Sequence, residues 1–590
     1  MQAAAPSTDE VRAELRQAVE ETRRRGLLHA SRWAAEQLQG LPAAGGAAPL
    51  PTALAPESDS MLLARSYYDV NEYRRCARVL EMAMANDEAM QSNGTARFLS
   101  MYSIFLAGEK RKEEESLELS SGEEDGGADG DVLGRRTVVN RELRALHTEL
   151  SAICGAGGEA ESDGFLLYMH GLVLVGLDQK GEAREVLAAA TRAYPCNWAA
   201  WKELQQLLTE VDSLANLQLP AHWTAALFGA EVEGELQQHE TDGSALFEPL
   251  DAIFPRSTYL LAQRALGAYH FRDYEAAGPL FEELHTQDPY RLDQMDAYSN
   301  ILFVHEEDAK LAYLAKEAVQ NDKYRPETCC IIANYYSRKD EHEKAVVYFS
   351  RALQLDPNYL SACTLMGHEY VEMKNHPAAI RAYRKAVDIN PRDYRAWYGL
   401  GQMYEILQMP FYALYYYRKV TLLRRHDPRM WVALGKCFSS LVDESKTHKA
   451  GLSEQQVTGR TRDAIKCFER AEANDDSEGI AVVELAQLTE KLGRDDPAQY
   501  QRAAIYHSLV LERGIDAEFA DAKAHDFLAK RELKLPAPNL DEAEAHCRAL
   551  LEAFGSLGTQ GDDEVRQLVL DARAHLKEIG AMREGGAMHA

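Results

Sequence analysis

Between residues 326 and 441 the apolar and small positions of the chain return with a fixed period. Stretches beginning at Pro326, Leu360, Tyr394 and Pro428 align without gaps, each start 34 residues after the last. Numbering every unit from 1 to 34, position 8 holds Ala333, Gly367, Gly401 and Gly435, and position 11 holds Tyr336, Tyr370, Tyr404 and Phe438. Position 20 holds Ala345, Ala379 and Ala413, position 24 Phe349, Tyr383 and Tyr417, and position 27 Ala352, Ala386 and Val420. Spacings of three and four put each set on one face of a helix. Pro357 and Pro391, at position 32, end the second helix, because proline lacks an N–H and clashes with the preceding turn. Each unit is thus predicted as two antiparallel helices, drawn close where the small position 8 faces alanine 20.

The pattern continues outward with lapses. A unit from Thr258 carries Ala277 and Phe281 at positions 20 and 24 and closes at Pro289, so a degenerate unit occupies 292–325. Gly171, Ala183, Ala190 and Pro195 fit a unit from Gly164, with Trp201 at position 4 of the next. The interval from Pro195 to Pro289 is not a multiple of the period, which predicts an irregular junction at about 213–256 between two solenoid segments. The fourth core unit reaches its position-20 alanine only at Ala464, so 444–460 is expected to be an inserted loop. A weaker unit follows from about Gly479. A 34-residue, two-helix unit is the period of the tetratricopeptide repeat (TPR). The fold class is therefore all-α: a TPR α-solenoid, a superhelix of helix-turn-helix repeats in two segments.

The expected organisation runs from an N-terminal helix and flexible linker (1–57) to an N-terminal TPR segment (58–250). A C-terminal superhelix with a binding groove (251–478), further TPR-like helices (479–578) and a disordered tail (579–590) follow. Within these, GLPAAGGAAPLPTALAPE at 40–57 reads as the linker and EEESLELSSGEEDGGADGD at 113–131 as an acidic disordered loop.

Composition narrows the function. The 93 acidic and 65 basic residues leave a formal net charge of −28, which disfavours nucleic acid and favours encounter with basic peptide segments. No apolar run approaches a membrane span, and Glu10 and Glu14 interrupt the start of the chain, so neither a membrane nor secretion is expected. The nine cysteines form no C-x-x-C pair and are expected as reduced, packed thiols, as suits cytosol or nucleus. No catalytic or cofactor motif survives inspection. HEYVE at 368–372 lacks the second histidine of a zincin helix, Gly435-Lys436 lacks the upstream glycine of a phosphate loop, and the 18 histidines show no metal-ligand spacing. No catalytic residue, cofactor or metal is expected, and binding remains.

In such an array the first helix of each unit lines the concave surface, with positions 2, 5, 9 and 12 pointing inward by the 3.6-residue period. The candidate peptide-binding residues are Asn334, His368, Glu369, Tyr398, Gln402 and Glu405. Asn334 can bond an extended backbone through its amide, and Glu369 and Glu405 can accept from an arginine fork. Replacing Asn334 and Glu369 with alanine is expected to weaken peptide binding without changing thermal melting. A TPR co-chaperone or transport adaptor is the alternative. Its carboxylate clamp would need Lys or Arg at positions 5 and 12, where Cys330, Ser337, Thr364, Val371, Tyr398 and Glu405 stand.

The runs STYLLAQRALGAYHFRDYEAAGPLFEELHTQDPYRLDQMDAYSNILFV, CCIIANYYSRKDEHEKAVVYFSRALQLDPNYLSACTLMGHEYVEMKN and RDYRAWYGLGQMYEILQMPFYALYYYRK closely resemble the cell division cycle protein 23 family, subunit eight of the anaphase-promoting complex (cyclosome). LLARSYYDVNEYRRCARVLE and FLSMYSIFLAGEKRKEEE resemble its N-terminal region. The resemblance covers about 60–575 and is most specific at 255–440. It implies a non-catalytic scaffold subunit of a cullin-RING ubiquitin ligase that controls mitotic progression, in nucleus and cytoplasm. It further implies a homodimer formed through the N-terminal superhelix, contacts with other subunits of the complex, and a C-terminal groove that takes the activator's C-box segment. The family's groove residues fall on Asn334 and Glu369. The acidic loop, the 444–460 insertion and the Ala/Gly-rich linker depart from the family pattern.

Overall fold

The computed structural model describes residues 8–42, 58–121, 138–156, 163–208, 217–236, 247–447, 454–493, 496–514, 520–534, 539–554 and 563–587. Among them the secondary structure is helical, with no strand. The chain divides into two compact units, Met1–Lys323 and Tyr324–Ala590. The segment boundary expected at 250/251 falls instead within the first unit, inside the short Glu248–Asp251 helix.

Unit 1 opens with a departure from expectation. Residues 8–41 are not one helix and a linker but a hairpin, Thr8–Arg24 and Leu28–Gly40, turned at Gly26 with φ of 72°. Glycine suits that turn twice over, since a Cβ there would also meet the Tyr68 ring at 2.5 Å. Val11, Leu15, Ala18, Ala30, Trp33 and Ala34 share one core with residues 165–260. Trp33 stacks on Trp198 with centroids 4.3 Å apart, on Trp223 at 5.9 Å, and meets the edge of Tyr259 at 6.1 Å. Ser257 Oγ donates to Gln37 Oε1 at 2.9 Å, and Arg256 N–H donates to the Gly40 carbonyl at 3.2 Å. The described parts of the irregular junction, 217–236 and 247–256, therefore pack against the N-terminal hairpin. Of the expected linker, 43–57 lies outside the described residues.

The acidic stretch also differs. The Gly94–Ser121 helix takes in 113–121, with Lys112–Glu109 at 3.0 Å and Arg111–Glu115 at 3.9 Å along its surface. Residues 122–131 lie outside the described residues. Helical pairs then follow the predicted register, Gly164–Gly176 with Lys180–Ala193 and Thr258–His270 with Tyr274–Gln287.

Unit 2 contains the core repeats: Pro326–Arg338 with His342–Leu355, Leu360–Glu372 with His376–Ile389, Tyr394–Ile406 with Pro410–Leu423, and Pro428–Thr447 with Glu454–Ala473. The last pair corrects the expected insertion. Residues 444–447 and 454–460 lengthen the two helices, leaving 448–453 outside the described residues. Ile480–Gly493 with Pro497–Arg513, Ala520–Lys534 with Leu540–Phe554, and Asp563–Ala587 complete the unit, so the tail expected from 579 is helical to 587.

Three recurrent devices set the repeat geometry. A Cβ on Gly401 would meet Tyr417 at 2.5 Å, one on Gly435 would meet Phe468 at 2.7 Å, and Gly367 faces Tyr383 in the same way. The partner of the small position 8 is thus the aromatic at 24 rather than the alanine at 20. Trp201, Trp397 and Trp431 at position 4 donate Nε1–H to the carbonyls of Pro195, Pro391 and Arg425, at 2.7, 2.8 and 2.7 Å, and tie each repeat to the one before it. Asp340, Lys374 and Gln408, at φ of 58, 58 and 56°, form left-handed turns between paired helices. The next N–H in each case donates to the carbonyl of Tyr336, Tyr370 or Tyr404.

Candidate peptide-binding groove

The candidate residues lie on three successive first helices of unit 2, 326–338, 360–372 and 394–406. The structure separates them by depth. Asn334 and Glu369 are buried, at 4% and 7% exposure, His368 and Gln402 are exposed, and Tyr398 and Glu405 are half-buried. Cys330 and Thr364, both at position 5, are buried as well, so that position packs between neighbouring helices. Position 9 of the 360 and 394 repeats forms the open part of the wall.

Glu369 does more than face inward. Its Oε1 accepts from Ser337 Oγ at 2.7 Å, and its Oε2 lies 2.9 Å from His342 Nδ1. The carboxylate therefore joins the 360 repeat to both helices of the 326 repeat, and Asn334 sits one turn before Ser337 on the same helix face. Ser337 was legible from position arithmetic. His342, at the start of the second helix, was not.

His368 Nδ1 lies 2.7 Å from the Tyr383 hydroxyl. Burial, and then the Glu369 and Glu372 carboxylates, push the Tyr383 phenol well up, so it stays protonated and donates. His368 meets solvent along one side and is walled by protein on the others. That enclosure, with the Arg395 guanidinium, holds its imidazole below the ordinary histidine value. Neutral His368 accepting at Nδ1 carries its proton on Nε2, a donor for a ligand carbonyl.

Glu405 accepts from the Tyr417 hydroxyl at 2.6 Å, and Tyr398 tilts against the Tyr417 ring at 5.7 Å. At the helix starts each guanidinium has a carboxylate two residues away: Arg325 on Glu327 at 3.1 Å, Arg395 on Asp393 at 3.3 Å, and Arg429 on Asp427 at 3.0 Å. Asp393 also accepts from Thr364 Oγ1 at 3.4 Å. The wall is thus a set of side chains already fixed by one another, with His368 and Gln402 open to a ligand.

Comparison with known proteins agrees with this architecture. Residues 10–265 match the family model described as Anaphase promoting complex subunit 8 / Cdc23, a span that includes the N-terminal hairpin. Residues 326–359 and 367–407 match models of the tetratricopeptide repeat and TPR repeat. The chain is 42% identical over 359 residues to anaphase-promoting complex subunit 8 of Arabidopsis thaliana, covering 54% of this chain and 58% of that one. It is 40% identical over 299 residues to the human cell division cycle protein 23 homolog, covering 50% and 47%, and 32% identical over 399 residues to subunit CDC23 of Saccharomyces cerevisiae, covering 55% and 62%. The matches thus span about half the length of these relatives. Among solved structures, the APC/C hetero-tetramer Cut9-Hcn1 superposes with a TM-score of 0.50 at 17% identity, over 95% of this chain and 96% of that one, a likeness of fold.

Proposed function

We propose that this chain, which belongs to the anaphase-promoting complex subunit 8/Cdc23 family, is a non-catalytic TPR scaffold subunit of the anaphase-promoting complex (cyclosome). In this reading it holds other subunits of that ubiquitin ligase along its repeats, in nucleus and cytoplasm, and homodimerises through its N-terminal repeats. The inner faces of the 326, 360 and 394 repeats receive the C-box segment of the activator. One observation carries the groove assignment: exposed His368 and Gln402 stand on a wall whose other polar groups are fixed by internal bonds. A pre-ordered wall loses little side-chain entropy when an extended peptide docks. The net charge of −28 speeds encounter with a basic segment. Positions 5 and 12 of the core repeats offer no Lys or Arg, so an acidic C-terminus of the kind co-chaperones bind finds no clamp.

The test is a fluorescence-polarisation titration of a labelled activator C-box peptide with the full chain. Saturable binding is expected, weakened about tenfold by His368→Ala with Gln402→Ala, which removes about 1.4 kcal/mol of contact. The urea midpoint falls with it, by the equivalent of about 1–3 kcal/mol, because the buried Tyr383 hydroxyl loses its acceptor. Gln402→Ala alone, expected to weaken binding with the urea midpoint unchanged, separates contact from folding. Wild-type affinity in the double variant refutes the groove assignment. Sedimentation of the full chain as a monomer at micromolar concentration refutes the dimer.

A further inference from the structure

No ligand spacing links residues 14, 196 and 222 in the sequence, yet the ligand atoms of Glu14, Cys196 and His222 all lie within 4.8 Å of one another. They come from three separate parts of unit 1. Glu14 is on the outer side of the Thr8–Arg24 helix, whose other face buries Val11, Leu15 and Ala18. Cys196 lies in the turn between the Lys180–Ala193 and Trp198–Leu207 helices and is 6% exposed. His222 immediately precedes the Trp223–Leu236 helix.

The surroundings orient these groups. Glu14 Oε2 is 3.1 Å from His222 Nε2 and accepts from Trp223 Nε1 at 3.4 Å. His222 Nδ1 accepts from the Thr224 N–H at 3.3 Å and lies 2.7 Å from Thr224 Oγ1. A metal-bound histidine donates its outer ring N–H to a neighbouring acceptor, and Thr224 Oγ1 is the acceptor placed to take it. The donor set is one sulfur, one imidazole nitrogen and one carboxylate. Calcium and magnesium require oxygen cages, whereas zinc accepts this mixture. The Glu14 side chain is 46% exposed, which leaves room for water at a fourth tetrahedral position.

We propose that Glu14, Cys196 and His222 form a Zn²⁺ site that pins the N-terminal helix to the turns beside Cys196 and His222. Cys196 binds as the thiolate and releases its proton to solvent. His222 ligates through Nε2, which gives up the proton it directs at Glu14, while Nδ1 takes one up and donates it to Thr224 Oγ1 in place of accepting from the Thr224 N–H. Zinc–ligand bonds of about 2.0–2.3 Å set tetrahedral donors roughly 3.5 Å apart. Glu14 and His222 already meet this at 3.1 Å, so closure on the ion requires a small movement of Cys196 Sγ towards them. The expectation of no metal site drawn from histidine spacing misses such a cluster, because its members meet only through tertiary packing.

The test uses the full chain, stripped with chelator and then titrated with zinc against a chromophoric competitor. Cobalt substitution adds a thiolate-to-metal charge-transfer band as a readout of sulfur ligation. One zinc per chain, the cobalt band and a zinc-dependent rise in melting temperature are expected. Cys196→Ser abolishes all three, and Cys154→Ser, at a half-buried cysteine outside the cluster, leaves them intact. Glu14→Gln and His222→Gln each remove a ligand and weaken zinc binding by at least the roughly 10–100-fold that loss of a ligand's outer partner causes. Should Cys196→Ser fail to fold, Glu14→Gln at the exposed position carries the test. Absence of stoichiometric zinc, or wild-type zinc affinity in Glu14→Gln or Cys196→Ser, overturns the proposal.

Discussion

Glu369 separates two roles that an alanine substitution would confound. Its carboxylate is 7% exposed and satisfies Ser337 at 2.7 Å and His342 at 2.9 Å. Glu369→Ala strands a buried serine hydroxyl and one ring nitrogen. Leaving a buried polar group without its partner costs about 1–3 kcal/mol. His342 retains 28% side-chain exposure and can be rehydrated, so Ser337 dominates and the expected loss is about 2 kcal/mol. The expectation that the Asn334/Glu369 double alanine variant melts like wild type therefore does not fit this packing, and reduced peptide binding by that variant would not identify a contact. Glu369→Gln isolates the charge. Its carbonyl oxygen still accepts from Ser337, and its amide can donate to His342 Nδ1 when the imidazole carries its proton on the other nitrogen, so stability should fall by under about 1 kcal/mol. Because both oxygens of this buried carboxylate are already engaged, Glu369→Gln should leave the Kd for the peptide unchanged. A peptide guanidinium bonded to it would contribute about 1.5–3 kcal/mol, and its loss would show instead as a tenfold to hundredfold rise in Kd. The assay pairs urea unfolding with polarisation titration of the labelled C-box peptide. Wild-type affinity in Glu369→Gln would show that the peptide does not use this carboxylate. An unchanged urea midpoint in Glu369→Ala would show that the Ser337–Glu369–His342 link carries no stability.

Trp33→Ala removes a ring stacked between Trp198 and Trp223 and should cost about 3–5 kcal/mol, with faster hydrogen exchange in the 28–40 and 223–236 helices; loss of under 1 kcal/mol with unchanged exchange would mean that the hairpin is not integral to unit 1. Gly401→Ala places a Cβ 2.5 Å from the buried Tyr417 ring and should destabilise by about 1–3 kcal/mol. Gly229→Ala, with no atom within 4 Å of its Cβ, should stabilise by about 0.5–1 kcal/mol, and urea midpoints moving in the same direction would refute the contrast. His368 has its folded value lowered from 6.5 to about 4. The unfolded chain then takes up a proton that the folded chain resists, so stability is full above about 6.5 and falls as pH drops from there towards about 4. Solvent along the groove limits the amplitude. Wild type should lose more stability across that window than His368→Gln, and parallel pH profiles would argue against an enclosed neutral imidazole.

What was legible in the sequence was what repeats impose locally. Gly367, Gly401 and Gly435 recur because an aromatic ring occupies the space of their missing side chains, and tryptophan recurs at position 4 because its indole bonds the preceding unit's carbonyl. Both constraints act over a few tens of residues, so the period exposes them. The left-handed turns left no signature, since Asp340, Lys374 and Gln408 share only a backbone conformation stabilised by capping bonds. In the acidic stretch, 113–121 is helical where low complexity predicts disorder, because propensity prevails there. EKRKEEESLELSS is composed largely of helix formers with favourable charge pairs three and four residues apart, and it continues the helix that precedes it. The N-terminal hairpin was illegible for a different reason. Gln37 bonds Ser257 across 220 positions, and Trp33 meets Trp198, Trp223 and Tyr259 through tertiary packing that no period encodes. Glu369 lies between these limits. Its place beside the inner face follows from helical spacing, but its two partners belong to the neighbouring repeat, and the angle between repeats decides whether a carboxylate there is free for a ligand or already bound. That angle emerges from the summed packing of positions 8, 24 and 27. A groove in such a solenoid therefore has to be assigned from which inner-face groups remain open after the repeats have docked, and that criterion moves the first contacts of a peptide from Asn334 and Glu369 towards His368 and Gln402.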